Sequence, residues 1–329
     1  MTVPLRIGVL GAARIADDGI VEPARALGHR IVAVAARDRR RAETFAAGRG
    51  VERVHDTYRD VIDDPEVDVV YNALVNSLHT KWNVAALQAG KHVLSEKPMS
   101  SNGTAARAVR EAARQTGMTI VEGFHYLHHP VNRRLRDLAM SGELGTVEHV
   151  EIQLTIPAPP DNDPRWQRDL DGGATMDLGC YVLSAARHVG RWIGETPVLE
   201  RVRVRRREPD LDSAVSAELS YPGGATGHLT WDMQAPVRRM VWTVRGSKAT
   251  AVSPCFAVPH TDPRLVITDA SGTTREERPG TGTSYTHQLA AVAATLQRGT
   301  AFPVDVDDAV ANADLVDSVY RAASMSVRG

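Results

Sequence analysis

The chain has 329 residues, 43% hydrophobic and 24% charged, with 39 Lys and Arg against 40 Asp and Glu for a net charge of -1. That length suits about two domains, and the composition excludes a disordered or fibrous chain. The neutral balance lends no support to a nucleic-acid or membrane partner.

Two cysteines, Cys180 and Cys255, are too few for a disulfide framework or a Cys-rich metal site. There is no apolar run of 18 residues, and the stretch from Met1 to Arg6 has no signal-peptide pattern. A cytoplasmic protein is expected.

The first 123 residues alternate short apolar runs with helical patterns. Strands are expected at Arg6 to Leu10, Ile31 to Ala35, Val67 to Asn72, His92 to Leu94 and Thr119 to Val121. Helices are expected at Arg39 to Ala47, Leu78 to Ala89 and Ala105 to Gln115, the last two stopped by Gly90 and Gly117. This order predicts βαβ units and a parallel sheet, a Rossmann-type dinucleotide-binding domain over 1–123.

From residue 124 the pattern changes. A helix at Pro130 to Met140 precedes a strand at Val147 to Ile156 and a proline-rich connection from Pro157 to Asp169. Gly172 to Val189 reads as helix. Long strands follow at Val198 to Arg205, Ala214 to Tyr221, Thr226 to Met233 and Arg238 to Val244, before helices at Thr286 to Gln297 and Asp305 to Met325. Residues 124–329 are therefore expected to form an α+β domain on a large, mostly antiparallel sheet, serving substrate binding and oligomerisation. The Arg203 to Arg207 cluster reads as a solvated strand face or a phosphate or partner contact.

Directly after the first strand stands Gly11-Ala12-Ala13-Arg14-Ile15-Ala16. As a dinucleotide fingerprint, Gly11 makes the tight turn, Ala13 stands where backbone meets pyrophosphate, and Ala16 lets helix and strand pack closely. At the end of the second strand Ala36 occupies the usual acidic position and Arg37 follows. A guanidinium grips a 2′-phosphate that a carboxylate would repel. NADP(H) is favoured and NAD(H) remains open, since a one-residue shift of the strand end would make Asp38 the ribose-binding acid.

Lys97 follows a short apolar run and precedes Pro98, at the carboxyl edge of a parallel sheet where ligands bind. A surface salt bridge is its plainer role. Asp177 and Tyr181, four apart in a helical segment, share one face. They present a carboxylate and a phenol to one cleft, or simply pack and solvate. Trp166 either stacks on a sugar or covers the core. His125, His128 and His129 are poorly spaced for a metal site, and none is expected.

The stretches Asn76-Ser77-Leu78-His79, Ala89-Gly90-Lys91-His92-Val93-Leu94-Ser95-Glu96-Lys97-Pro98 and Gly172-Gly173-Ala174-Thr175-Met176-Asp177-Leu178-Gly179-Cys180-Tyr181 resemble the glucose–fructose oxidoreductase, inositol dehydrogenase and MocA family. The resemblance covers nearly the whole chain. It implies that Lys97 lies beside the nicotinamide and the substrate oxygen, with a Lys97–Pro98 bond that is often cis in the family. It puts Asn76 and His79 against the cofactor and Glu96 near the nicotinamide ribose or orienting its neighbours. It also implies that His125 and Tyr126 line the substrate pocket.

Tyr181 stands where the inositol dehydrogenase branch usually has histidine. The glucose–fructose oxidoreductase, dihydrodiol dehydrogenase and sugar-ketoreductase branches share the tyrosine. The resemblance implies hydride transfer to or from a sugar or polyol, with Lys97, Asp177 and Tyr181 catalytic, and a homodimer or homotetramer formed through the second sheet. A non-enzymatic nicotinamide-nucleotide-binding regulator and a dihydrodiol-type dehydrogenase are the alternatives.

Overall fold

The computed structural model describes residues 3–302 and 304–329. The chain divides into two compact units. One comprises the residues up to Phe124 with Tyr285–Ala313 and Gly329, the other His125–Ser284 with Asp314–Arg328. This grouping differs from a single division after residue 123, because part of the C-terminal region belongs to the first unit.

The first unit is built on a six-stranded sheet from β1 (Arg6–Leu10), β2 (Arg30–Ala35), β3 (Arg53–Val54), β4 (Val69–Asn72), β5 (His92–Ser95) and β6 (Ile120–Glu122). All pairings are parallel and the order is β3-β2-β1-β4-β5-β6. The connections place the topological reversal between β1 and β4, where such sheets open to ligands. Val9, Val34, Val69 and Val70 are buried, as the central strands of a sheet covered on both faces must be.

After β1 the chain enters a helix whose π-helical turn, Asp17–Val21, leads into α1 (Glu22–Leu27). The helices α2 (Arg39–Ala46), α3 (Tyr58–Asp63), α4 (Asn76–Gln88) and α5 (Gly103–Thr116) follow. Asp38 caps α2, a Thr57–Asp60 capping box starts α3, and Asn102 caps α5, each satisfying helix-end N–H groups. Ala106, Val109, Ala112 and Ala113 of α5 pack into the core beneath the sheet. Leu289, Val292 and Ala293, returning from the C-terminal region, join the core on β1 and β4.

The second unit contains α6 (Pro130–Met140), β7 (Val147–Thr155), α7 (Cys180–Ile193), β8 (Val198–Glu208), β9 (Leu211–Ser220), β10 (Thr226–Asp232), β11 (Arg239–Gly246), β12 (Ala249–Ser253), β13 (Leu265–Asp269) and β14 (Thr274–Glu277). These strands form an eight-stranded sheet ordered β14-β13-β12-β11-β7-β10-β9-β8. Only the β7–β10 pair is parallel. Two closing helices, α8 (Ser284–Arg298) and α9 (Val306–Ala322), complete the chain.

Strand alternation sorts the two sheet faces. Ile152, Leu154, Val215, Leu229 and Trp231 are buried on the side covered by α7, which packs on β7 and β10. Glu151, Gln153, Ser216, Glu218 and Thr230 are half-buried on the other. The Arg203 to Arg207 run is largely engaged. Arg205 pairs with Asp232, Arg206 donates to the carbonyls of Ala323 and Ser324, and Arg207 pairs with Asp161.

A fully buried ion pair braces the entry to α7. Arg328 Nε donates to the Gly172 carbonyl at 3.1 Å and its Nη2 to Asp212 Oδ1 at 3.2 Å. Asp212 Oδ2 accepts the Thr175 N–H at 2.6 Å. Gly173, at φ 117°, lies so close to this carboxylate that a Cβ would collide with it, and that φ itself favours glycine. Arg328→Ala leaves Asp212 buried without its cation. The expected loss is about 3–5 kcal/mol of stability, read by urea denaturation.

Candidate active site

The loop after β1 is shaped by its first glycine. Gly11 has φ 95° and donates its N–H to the Ala35 carbonyl at 2.8 Å. A Cβ there would press against Leu74 at 3.0 Å. Ala16 is fully buried, while Ala12, Ala13 and Ile15 are partly buried against the core. The loop borders two openings in the first unit. A smaller one of about 110 Å³ is lined by Gly11, Ala36, Arg37, Arg41, Tyr58, Leu74 and Leu78 among others. A larger one of about 530 Å³ runs past Ala12, Ala13 and Arg14 to Arg40, Arg41 and Thr44 on α2 and on to Arg49.

The charges around these openings are uneven. Arg49 is neutralised by Asp17, and Arg39 by Glu43 and Asp56. The side chains of Arg14, Arg37, Arg40 and Arg41 have no carboxylate partner among the described residues. Asp38, the rival ribose-binding acid, has Oδ1 committed to the Arg40 N–H at 2.8 Å, as the cap of α2. The surplus is cationic, which suits a phosphate dianion. Arg40 and Arg41 escaped the sequence reading, although Arg37 to Arg41 holds four arginines on the first turn after β2.

At the end of β5 a buried polar network fixes the Ser95 to Pro98 segment. Asn83 donates to Ser95 Oγ at 2.9 Å and to the Met99 carbonyl at 3.0 Å, and accepts from Asn72 at 2.8 Å. The His79 ring spans two carbonyls, with Nδ1 2.7 Å from Pro98 O and Nε2 2.8 Å from Leu74 O. His79, expected against the cofactor, is buried and ties the loop after β4 to the Lys97–Pro98 peptide. That peptide is cis. Asn76 opens α4 in the same loop.

Glu96 is buried and accepts the Tyr71 hydroxyl at 2.7 Å. Burial pushes its carboxyl above the ordinary range, against the Tyr71 hydrogen bond and the Lys97 charge and N–H, which lower it. The folded state thus holds this proton more tightly than the unfolded chain. Stability should fall as pH rises from about 4.3, the ordinary glutamate value, through the raised one. Glu96→Gln removes the titration and keeps an acceptor for Tyr71. Its melting temperature relative to wild type should therefore climb with pH over that window, and a constant difference in a pH series of thermal melts would contradict the raised value.

In the second unit, a π-helical turn, Thr175–Gly179, opens directly into α7 and carries Asp177 four residues before Tyr181. Arg165, which the sequence reading passed over, sits 3.5 Å from Asp177 Oδ2 and also holds Asp163. Tyr181 is half-buried, with its hydroxyl 3.1 Å from His125 Nε2. Tyr126, expected in the substrate pocket, is fully buried. Its hydroxyl donates to Ser184 Oγ at 3.0 Å and its ring backs Tyr181 at a centroid distance of 5.7 Å.

Trp166 does not offer a free face for sugar stacking. It is buried, donates to the Pro159 carbonyl at 3.2 Å, and carries the Arg207 guanidinium 4.5 Å from its ring centroid. His129 caps α6. Among the described residues no group of three His, Cys, Asp or Glu side chains could hold a metal, and no helix is long and apolar enough to cross a membrane.

The Rossmann sheet, its glycine loop and the antiparallel second sheet define a dinucleotide-binding oxidoreductase fold. A profile described as "Oxidoreductase family, NAD-binding Rossmann fold" matches residues 5–124, and a GFO/IDH/MocA C-terminal domain matches residues 132–252. The chain belongs to this family of glucose–fructose oxidoreductase, inositol dehydrogenase and MocA relatives.

It is 29% identical, over 97% of both chains, to D-xylose 1-dehydrogenase (NADP(+)) 2 of Haloferax volcanii. It is 31% identical to dTDP-3,4-didehydro-2,6-dideoxy-alpha-D-glucose 3-reductase of Saccharopolyspora spinosa, over 99% of this chain and 96% of that one. Among solved structures, a 3-ketoreductase from Actinomadura kijaniata in complex with NADP and TDP-benzene superposes with a TM-score of 0.89 at 30% identity, covering 97% of this chain and 98% of that one. Structures of that ketoreductase include a tyrosine-to-phenylalanine variant and a lysine-to-alanine variant. The two varied residues are the same number of positions apart as Lys97 and Tyr181 are here.

Proposed function

We propose that this chain is an NADP(H)-dependent oxidoreductase that moves a hydride to or from a carbon of a sugar or polyol, as an aldose dehydrogenase or a keto-sugar reductase. The observation that carries the reading is the shared lysine-to-tyrosine spacing, joined here to a Tyr181 hydroxyl hydrogen-bonded within its own unit. The cofactor fits the first unit. Gly11 lets the chain turn sharply after β1 at a φ that favours glycine, and the unpaired arginines would meet an adenosine 2′-phosphate. Gly11, Ala12, Ala13, Arg14 and Ile15 hold the pyrophosphate side, with Arg37 and Arg41 on the phosphate. His79, Asn76 and Glu96 shape the wall that carries Lys97.

The bound nicotinamide supplies or takes the hydride. In reduction, the Lys97 ammonium stabilises negative charge growing on the substrate oxygen, and the Tyr181 phenol gives that oxygen a proton. Asp177, steadied by Arg165, accepts hydrogen bonds from sugar hydroxyls. Tyr126 and Trp166 support the site from the core. In oxidation the proton path reverses.

The test is a two-way assay of the purified chain: NADP⁺ reduction with D-xylose and other aldoses, and NADPH oxidation with keto-sugars. Turnover of any of these supports the reading. Tight NADPH binding without turnover of sugars or cyclic diols would favour a nucleotide-sensing regulator, and turnover of diols alone a dihydrodiol-type dehydrogenase.

The half-buried polar face of the eight-stranded sheet is the proposed contact with a second copy, giving a homodimer or homotetramer. Light scattering at micromolar concentration should report at least twice the chain mass, and a monomer would contradict the assignment. Cys180 and Cys255 form no disulfide among the described residues, in keeping with a cytoplasmic setting.

A further inference from the structure

The hydrogen-bonded array at Tyr181 continues beyond His125. Nδ1 of His125 lies 2.8 Å from Ser284 Oγ, and that hydroxyl lies 3.3 Å from Nδ1 of His260. His125 and Ser284 are buried, whereas His260 is half-buried. The four residues come from separate segments of the second unit: α7, the short 3-10 turn His125–His128, the first residue of α8, and the loop after β12. Tyr126 and Phe256, both fully buried and in edge-to-face contact at 5.4 Å, form an aromatic wall behind the Tyr181 ring.

A proton donor must be recharged once per turnover, and a phenol backed by aromatic rings needs polar groups to carry the proton. We propose that Tyr181, His125, Ser284 and His260 form a proton relay joining the reacting hydroxyl to water at His260. The relay rests on the reading of Tyr181 as proton donor and acceptor.

One polarity satisfies every link. Tyr181 O–H donates to His125 Nε2, His125 Nδ1–H donates to Ser284 Oγ, and Ser284 O–H donates to His260 Nδ1. During alcohol oxidation Tyr181 gains the substrate proton at Oη as its own proton passes to His125 Nε2. His125 releases its Nδ1 proton to Ser284, whose hydroxyl proton moves to His260 Nδ1. The His260 imidazolium then loses its Nε2 proton to water. Each group ends with the charge it had at the start, and the substrate proton has been exported. Carbonyl reduction runs the same transfers inward from the tautomers that oxidation leaves, with water protonating His260 Nε2 first and His125 Nε2–H returning a proton to Tyr181 last.

Ser284→Ala cuts the chain at its centre and spares both histidines, and His260→Gln removes its outer end. With the sugar turned over fastest in the assays above, both variants should lose about tenfold or more in turnover while binding NADPH as wild type does. In H₂O/D₂O mixtures, wild type should show a curved dependence of rate on deuterium content, from several protons in flight, and Ser284→Ala a straight one. His125→Ala should recover part of its lost rate in millimolar imidazole, a rescue that a purely structural role would not produce. Wild-type rates and an unchanged curve in Ser284→Ala and His260→Gln, alongside a crippled Tyr181→Phe, would overturn the relay alone. Normal turnover in Tyr181→Phe would overturn the relay together with the reading beneath it.

Discussion

Tyr181→Phe is expected to lower sugar turnover by about 10²–10⁴-fold, the usual weight of a positioned general acid or base, while NADPH affinity stays near that of wild type. The substitution removes one hydroxyl and little else. The ring keeps its contacts with Tyr126 at 5.7 Å and with the His125 edge at 5.9 Å, so a phenylalanine can occupy the same place. The Gly11 loop and the unpaired arginines belong to the other unit. Cofactor fluorescence and steady-state rates measured on one preparation separate the two effects. Near-normal turnover would return Tyr181 to a packing role, and a parallel loss of NADPH binding would point to misfolding.

The parallel strands were legible because burial on both faces demands short, continuous apolar runs, and β1, β2 and β4 have them. What escaped were elements with little apolar signal. Helix α3 buries only Val61 and Ile62 in six residues, and its Thr57–Asp60 capping box was the one local cue. Strands β12 to β14 are short. β14 reads Thr-Arg-Glu-Glu at the sheet edge, where charge is tolerated because that side faces no further strand. The proline at 130 and the Gly117 stop could be read directly, since each acts on the backbone beside it.

The candidate site divides along the same line. Lys97, Asp177 and Tyr181 stand inside compact motifs, so sequence alone singles them out. The groups that hold them do not. Tyr71 meets Glu96 from another strand, Arg165 reaches Asp177 from a loop, and Ser284 meets His125 across 159 positions of chain. Nothing local marks a serine at the head of α8 as the partner of a histidine so far upstream. Trp166 shows the same dependence on distant chain, since an arginine of β8 folds over its ring. Asp38 is a third case. Its place after β2 allows a ribose contact or a helix cap, and its Oδ1 accepts the Arg40 N–H at 2.8 Å, capping α2.

That cap bears directly on cofactor choice. Arg37→Ala combined with Arg41→Ala is expected to weaken NADPH binding by about 10²–10⁴-fold and NADH binding by less than about threefold. The estimate takes about 1.5–3 kcal/mol for each hydrogen bond to a charged partner, at about 1.4 kcal/mol per factor of ten. Only the 2′-phosphate distinguishes the two dinucleotides, so a contact to any shared part would weaken both alike. Arg14 and Arg40 line the larger opening, which Arg41 also borders, and should keep some attraction for the phosphate, placing the loss toward the lower end in the double variant. The preference should also shrink with salt, because these cations stand at an open cleft where counter-ions compete. Adding Ala36→Asp to the double variant supplies a ribose acceptor and a repulsive charge, and should turn the preference to NADH. Titrations of each nucleotide at two salt concentrations, followed by nicotinamide fluorescence, decide the matter. Equal loss for both cofactors would move Arg37 and Arg41 away from the 2′-phosphate, and no loss for either would remove them from the cofactor site.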